Sequence, residues 1–261
     1  MQRVVTKAAL VRWSTARFYR WNAIVSVVVY VPFALVVPPR TEALAGALAM
    51  SLYMAGAFWV ATEATRRGPV GVVAPLTAAS PAITVVLAVL ILGERPSALA
   101  LVGVGCAVGA AILLATHPAA ATIGGWLAFA LASLTLQGVG AFLAKIVVSE
   151  GGPTTLLVAS IAVQLVVGTV IARREPLALA EHARGTPLLI TLTLAAAALA
   201  TIGYLSALSV GPASLVVPLV ATSPALGGLL GIVLLKERAS ALQLWGIAAG
   251  LVGIVLLARP S

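Results

Sequence analysis

The three longest charge-free stretches of this chain are 68–93, 96–144 and 185–235. A water-soluble domain needs charge spread along its length, about a quarter of its residues. Here only 9% of the 261 residues are charged, 61% are hydrophobic, and the mean hydropathy is +1.13. A bilayer-crossing helix takes about 20 apolar residues. The second and third charge-free runs are therefore long enough for two crossings each. Helices satisfy their own backbone in lipid at such lengths. The pattern predicts an all-α, polytopic membrane helix bundle.

Turn signals divide the runs into nine expected spans: 21–37, 43–65, 70–92, 98–115, 123–144, 154–172, 187–209, 212–235 and 241–258. The breaks are rich in Pro, Gly and charge, as in Val-Val-Pro-Pro-Arg at 36–40 and Ser-Glu-Gly-Gly-Pro at 149–153. The connections are short and leave no extramembrane domain. The first 20 residues carry five Lys or Arg and no apolar core of a signal peptide. One cysteine, Cys106, excludes an intrachain disulfide and reads as a small packing residue.

The chain repeats itself. Residues 68–115 align with 211–258 without a gap, with 21 identities in 48 positions. Gly68-Pro69 matches Gly211-Pro212, Pro75-Leu76 matches Pro218-Leu219, and Ser80-Pro81-Ala82 matches Ser223-Pro224-Ala225. Glu94-Arg95 matches Glu237-Arg238. Agreement of this kind marks an internal duplication. The matched third and eighth spans lie five crossings apart, so they traverse the membrane in opposite senses. Inverted repeats are the architecture of many secondary transporters.

A Gly-Pro opening, then Pro-Leu, Ser-Pro, and Gly/Lys-Glu-Arg before a Gly-rich closing helix resembles the EamA domain of the drug/metabolite transporter superfamily. Both copies match: a first repeat at 1–116 and a second at 122–259. The resemblance implies ten helices in two inverted five-helix halves around a central cavity, moving a small metabolite, commonly outward. The second half supplies five spans and the first half four, so the expectation is a ten-helix fold lacking its first helix. Lys145 fits the basic residue that commonly closes the first helix of each half, with Arg3 its counterpart. Without that helix, a lateral gap beside the third span is expected.

Small residues at four-residue spacing let helix backbones approach closely in lipid. Gly105 with Gly109, Gly227 with Gly231, and Gly246 with Gly250 and Gly253 are the expected contacts, within the bundle or between subunits. The prolines carry more. Pro75 and Pro81 in the third span correspond to Pro218 and Pro224 in the eighth, and each removes a helical hydrogen bond. Helices interrupted at corresponding places in two halves point to a binding site, although a kink can also merely shape the bundle. Thr77, Ser80, Thr222 and Ser223 lie beside these breaks, and such hydroxyls often bond only their own helix. Tyr53, Trp59, Gln137, Lys145 and Tyr204 complete the candidate substrate-binding set. Gln137 should face the interior, since a lone amide in lipid costs several kcal/mol. Lys145 can instead snorkel to the interface, and the aromatic residues can be packing or belt residues. The two Glu-Arg pairs read as hydrophilic ends of a duplicated helix pair, bonding backbone ends.

No bond-breaking chemistry is visible. His117 and His182 lie far apart in loops, no metal set or phosphate-cradling loop occurs, and neither enzyme activity nor a cofactor is expected. No carboxylate lies mid-span, so proton coupling would fall to Glu63 or to the absent helix. The net charge of +9 is scattered, which fits loops near anionic lipid rather than nucleic acid. Alternate connections hold 12 and 4 basic residues, placing the N-terminus in the cytoplasm and, with nine spans, the C-terminus outside, whereas the resemblance implies both ends of a ten-helix protein in the cytoplasm, which is the reverse sense. The expected partners are a small-molecule substrate and the lipid of the inner (plasma) membrane, with a homodimer possible. Two function classes remain: an alternating-access exporter of an amino acid, drug or related solute, or a truncated, non-transporting subunit or scaffold.

Overall fold

The computed structural model describes residues 15–68, 73, 76–115, 125–172, 186–223 and 241–257. These form eight helices and, among the described residues, no strand: α1 (Thr15–Val36), α2 (Leu44–Arg67), α3 (Ser80–Ile91), α4 (Ala98–Ala115), α5 (Trp126–Ala172), α6 (Thr186–Val210), α7 (Ala213–Ala221) and α8 (Ala241–Leu257). Among the described residues three segments are long and apolar enough to cross a membrane by themselves: Thr41–Arg67, Trp126–Val170 and Ile190–Val210. Shorter apolar helices cover Arg20–Val36, Leu76–Ile91, Ala98–Ala110 and Leu244–Leu257. Every expected span thus holds helix, while Pro75, Pro224, Gly227, Gly231 and the second Glu-Arg pair lie outside the described residues.

The expected fifth and sixth spans join in α5 through a kink at Gly152, with φ 76° and ψ 164°. The left-handed φ suits glycine, and the extended ψ is what the following Pro153 imposes. A second left-handed glycine, Gly93 (φ 66°), ends α3, and the Glu94 N–H turns back to the Ala88 carbonyl.

The chain divides into two compact units, Met1–Gly56 with Ile146–Ser209, and Ala57–Lys145 with Val210–Ser261. In the first unit, the Pro-Pro-Arg turn docks on the Gly-Gly-Pro kink. The Arg40 N–H donates to Thr155 Oγ1 (2.8 Å), and the Arg40 guanidinium donates to the Glu150 carbonyl (3.1 Å). Ser51 of α2 and Ser160 of α5 share a hydroxyl–hydroxyl bond of 3.2 Å. In the second unit, α4 lies along α8, and α7 packs on α3, α4 and α8. Val85, Val104, Ala107 and Leu257 form a buried cluster there, with Val108 and Leu215 against it.

The α4–α8 contact corrects the expected glycine register. Gly105 and Gly109 face open space, whereas a Cβ on Gly103 would meet Leu256 Cβ and Leu257 Cγ at 3.0 Å. A Cβ on Gly253 would meet the Ala107 amide nitrogen and the Gly103 carbonyl at 3.2 Å. The contact stripe is Gly103-Ala107-Ala110 on α4 and Gly246-Gly250-Gly253 on α8, all buried. These triplets occupy equivalent positions of the duplication. The spacing rule was right and the starting residue was two positions off.

Candidate functional site

The helix interruptions come first. Pro81 is near the start of α3, and immediately before it the Ala79 N–H reaches only to the Leu76 carbonyl (3.3 Å), three residues back. In the second repeat α7 stops at Ala221, and the Thr222 N–H reaches the Leu219 carbonyl (3.1 Å), again three residues back. Ala79 and Thr222 are equivalent residues of the duplication, as are Leu76 and Leu219. Both repeats therefore tighten the same turn just ahead of their Ser-Pro. Pro218 is buried inside α7, directly before the first residue of that turn, Leu219.

Around these breaks the expected polar residues take specific partners. Thr77 is buried and donates to the Val73 carbonyl (3.0 Å). The Thr222 hydroxyl donates to the Leu219 carbonyl (2.6 Å). Ser80 is half-buried and Ser223 exposed. The Ser80 backbone lies against Gly138 of α5, where a Cβ would come within 2.7 Å of the Ser80 carbonyl, and Thr84 donates to the Gly138 carbonyl (2.8 Å). Next to this close crossing, Gln137 is half-buried and its Nε2 donates to Ser133 Oγ (2.6 Å). Trp59 is exposed. Tyr53 and Tyr204, both half-buried, belong to the first unit, and the breaks belong to the second.

The Gly-Pro turn opening α7 is gripped from two sides. Lys145 Nζ donates to the Gly211 carbonyl (2.8 Å). The Ala213 N–H donates to Glu94 Oε1 (2.9 Å) and the Ser214 N–H to Glu94 Oε2 (2.8 Å). Pro212 has no capping side chain of its own, so the first two amides of α7 are satisfied by a carboxylate from the other repeat. A carboxylate at a helix N-terminus also meets the positive end of the helix dipole. A second acidic centre closes α2. Glu63 is buried and paired with Arg66 and with Arg67 (3.2 Å), and the Arg67 guanidinium stacks 4.4 Å from the Phe129 ring centroid.

The family model for EamA-like transporters matches residues 2–116 and 124–259. The chain belongs to the EamA-like transporter family. This EamA protein has a two-repeat, all-helical chain, is a membrane protein, and comes from a family of small-molecule carriers rather than enzymes. One solved structure, described only as "Crystal structure of protein", aligns with 98% of the EamA chain and 93% of its own at a TM-score of 0.77 and 14% identity. That likeness concerns the fold alone. No curated protein matches.

The first unit holds a polar stripe that the sequence reading of this EamA chain missed. Asn22, Ser26 and Tyr30 recur every four residues on one face of α1. Asn22 Nδ2 donates to Gln164 Oε1 on α5 (3.2 Å), and Trp21 Nε1 donates to Thr191 Oγ1 on α6 (2.9 Å). The Tyr30 hydroxyl is in hydrogen-bond contact with Thr201 and Ser26. Asn22 is the second residue of the expected span 21–37, and neither it nor Gln164 belongs to the expected substrate-binding set. The signal was there: Gln164 is a mid-span amide, the same feature that singled out Gln137.

Proposed function

We propose that this chain is a secondary transporter that exports a small metabolite, an amino acid, drug or related solute, across the inner (plasma) membrane by alternating access. The observation that carries the reading is the paired interruption at Ala79 and Thr222. A helix broken at one register in two inverted repeats frees backbone carbonyls and hydroxyls at matched depth, where a solute can be held and released to either side. Ser80, Thr222 and Ser223 are the polar groups at the breaks, with Gln137 beside the α3–α5 crossing. Lys145 holds the turn that opens α7. Trp59, Thr77, Tyr53 and Tyr204 are the remaining side chains assigned to the solute's path.

The test is transport by the purified chain in liposomes. Ser80→Trp and Ser223→Trp should each abolish most of it while membrane insertion and melting temperature stay near wild type. Wild-type rates in both variants would sink the assignment of the breaks.

A further inference from the structure

We propose that the first unit contains a recognition site for an uncharged solute carrying a hydrogen-bond donor beside an acceptor, such as a primary amide, a lactam or a nucleobase edge, formed by the carboxamides of Asn22 and Gln164. Each carboxamide offers a carbonyl oxygen and two N–H groups. The two residues share one bond, from Asn22 Nδ2 to Gln164 Oε1. Among the described residues neither side chain makes another. Among the described residues Asn22 Oδ1 is thus a free acceptor and Gln164 Nε2 a free donor. Turning both amides over exchanges these roles and still leaves one carbonyl and one NH2 group unbonded. Both residues are half-buried, so the open edges are reachable.

An amide pair that only held helices together would need no more than the bond it has. Leaving a carbonyl and an NH2 unmatched at membrane depth is unfavourable by several kcal/mol unless something else bonds them. A ligand with its own adjacent donor and acceptor matches both at once.

The surroundings set the charge of that ligand. The described ionisable side chains of this unit close to the stripe reduce to Arg20, two residues from Asn22 and therefore about 200° around α1. Arg40 and Glu42 lie beyond the far end of α1, and Glu150 is 14 residues, about 21 Å of helix, from Gln164. Among the described residues an ionic ligand would find no counter-charge on this face to offset its lost hydration. Trp21, fixed by its bond to Thr191, supplies a flat apolar surface one residue away. Ser26 and Tyr30 continue the same uncharged face along α1.

The site would hold the transported solute, and so rests on the transport reading, but its test does not. The probes are nicotinamide and nicotinate, equal in size and differing in amide against carboxylate, with uracil as a lactam edge. Equilibrium binding to the purified full chain in nanodiscs should be saturable for nicotinamide and uracil and at least about tenfold weaker for nicotinate. Asn22→Leu and Gln164→Leu should each weaken nicotinamide binding about tenfold, and the double variant little further, because the pair acts as one group. If a leucine variant fails to fold, the wild-type comparison of amide with carboxylate still decides. Absence of binding by both uncharged probes, equal binding of nicotinate, or wild-type affinity in folded leucine variants would overturn the site. Binding without uptake into liposomes would support the site and remove the transport reading. Uptake of the probes that survives both leucine substitutions would do the reverse.

Discussion

Glu94 shows how much one side chain can carry in a chain with so few charges. Its two oxygens satisfy two backbone amides of α7, and nothing nearer in sequence caps them. Glu94→Ala should therefore lower stability by about 1–2 kcal/mol, the upper part of the range for a lost helix cap. Glu94→Gln should recover part of this, since an amide oxygen still accepts one bond. Thermal unfolding in detergent reads both, and a Glu94→Ala protein as stable as wild type would remove the capping role. Gln137→Leu belongs at the same scale. Its printed bond stays within its own helix, to Ser133, so the substitution should shift solute affinity more than expression. A variant with unchanged affinity and better folding would show that the amide was merely tolerated. Both residues stood out in the sequence, because an acid repeated at fixed shift and an amide in an apolar run are conspicuous. Gln164 is as conspicuous an amide as Gln137, and what leaves no local trace is its pairing with Asn22, 142 residues away.

Among helices, the contrast between glycines is the sharpest test. Gly253→Ala forces a Cβ against the Ala107 nitrogen and the Gly103 carbonyl at 3.2 Å, and backbone cannot rotate aside. It should cost about 1–3 kcal/mol, the usual range for overpacking. Gly105→Ala and Gly109→Ala point into open space and should be neutral or stabilising by up to about 1 kcal/mol. Melting temperatures of the three variants separate the cases, and a stable Gly253→Ala would mean that α4 and α8 do not approach as described. The sequence announced that small residues would make this contact and not which ones. In a soluble helix, apolar periodicity fixes the inward face. Here apolar residues surround both helices, so rotation about the axis has no compositional signal, and glycines at 103, 105 and 109 read alike. The breaks were different: Ser-Pro fixes a turn locally, so the register at Ala79 and Thr222 could be read directly.

For the molecule as a whole, the duplication is the organising fact. The gap-free shift places Ser-Pro pairs, Glu-Arg pairs and small-residue stripes at equivalent residues in both repeats, and the described parts of each repeat show it in the paired turns and the α4–α8 contact. Transport that depends on both breaks should fail when either is blocked. Ser80→Trp and Ser223→Trp should each reduce liposome transport at least about tenfold, and the double variant should be no worse than the poorer single one. Activity retained by one of the two would confine the path to a single repeat.

The grip of Glu94 on α7 also sets an order of events during synthesis. The carboxylate and its amide partners are 119 residues apart. At 5–20 residues per second, the acid leaves the ribosome about 6–24 s before Ala213 does. For that interval α3 and α4 are made but the Glu94 carboxylate, beside Arg95 in their connecting turn, lacks its amide partners, and the two charged residues keep the turn at the water surface instead of following the helices into lipid. The late arrival of α7 then gives the waiting charge its partner, so the first repeat reaches its final form only when most of the second has been made.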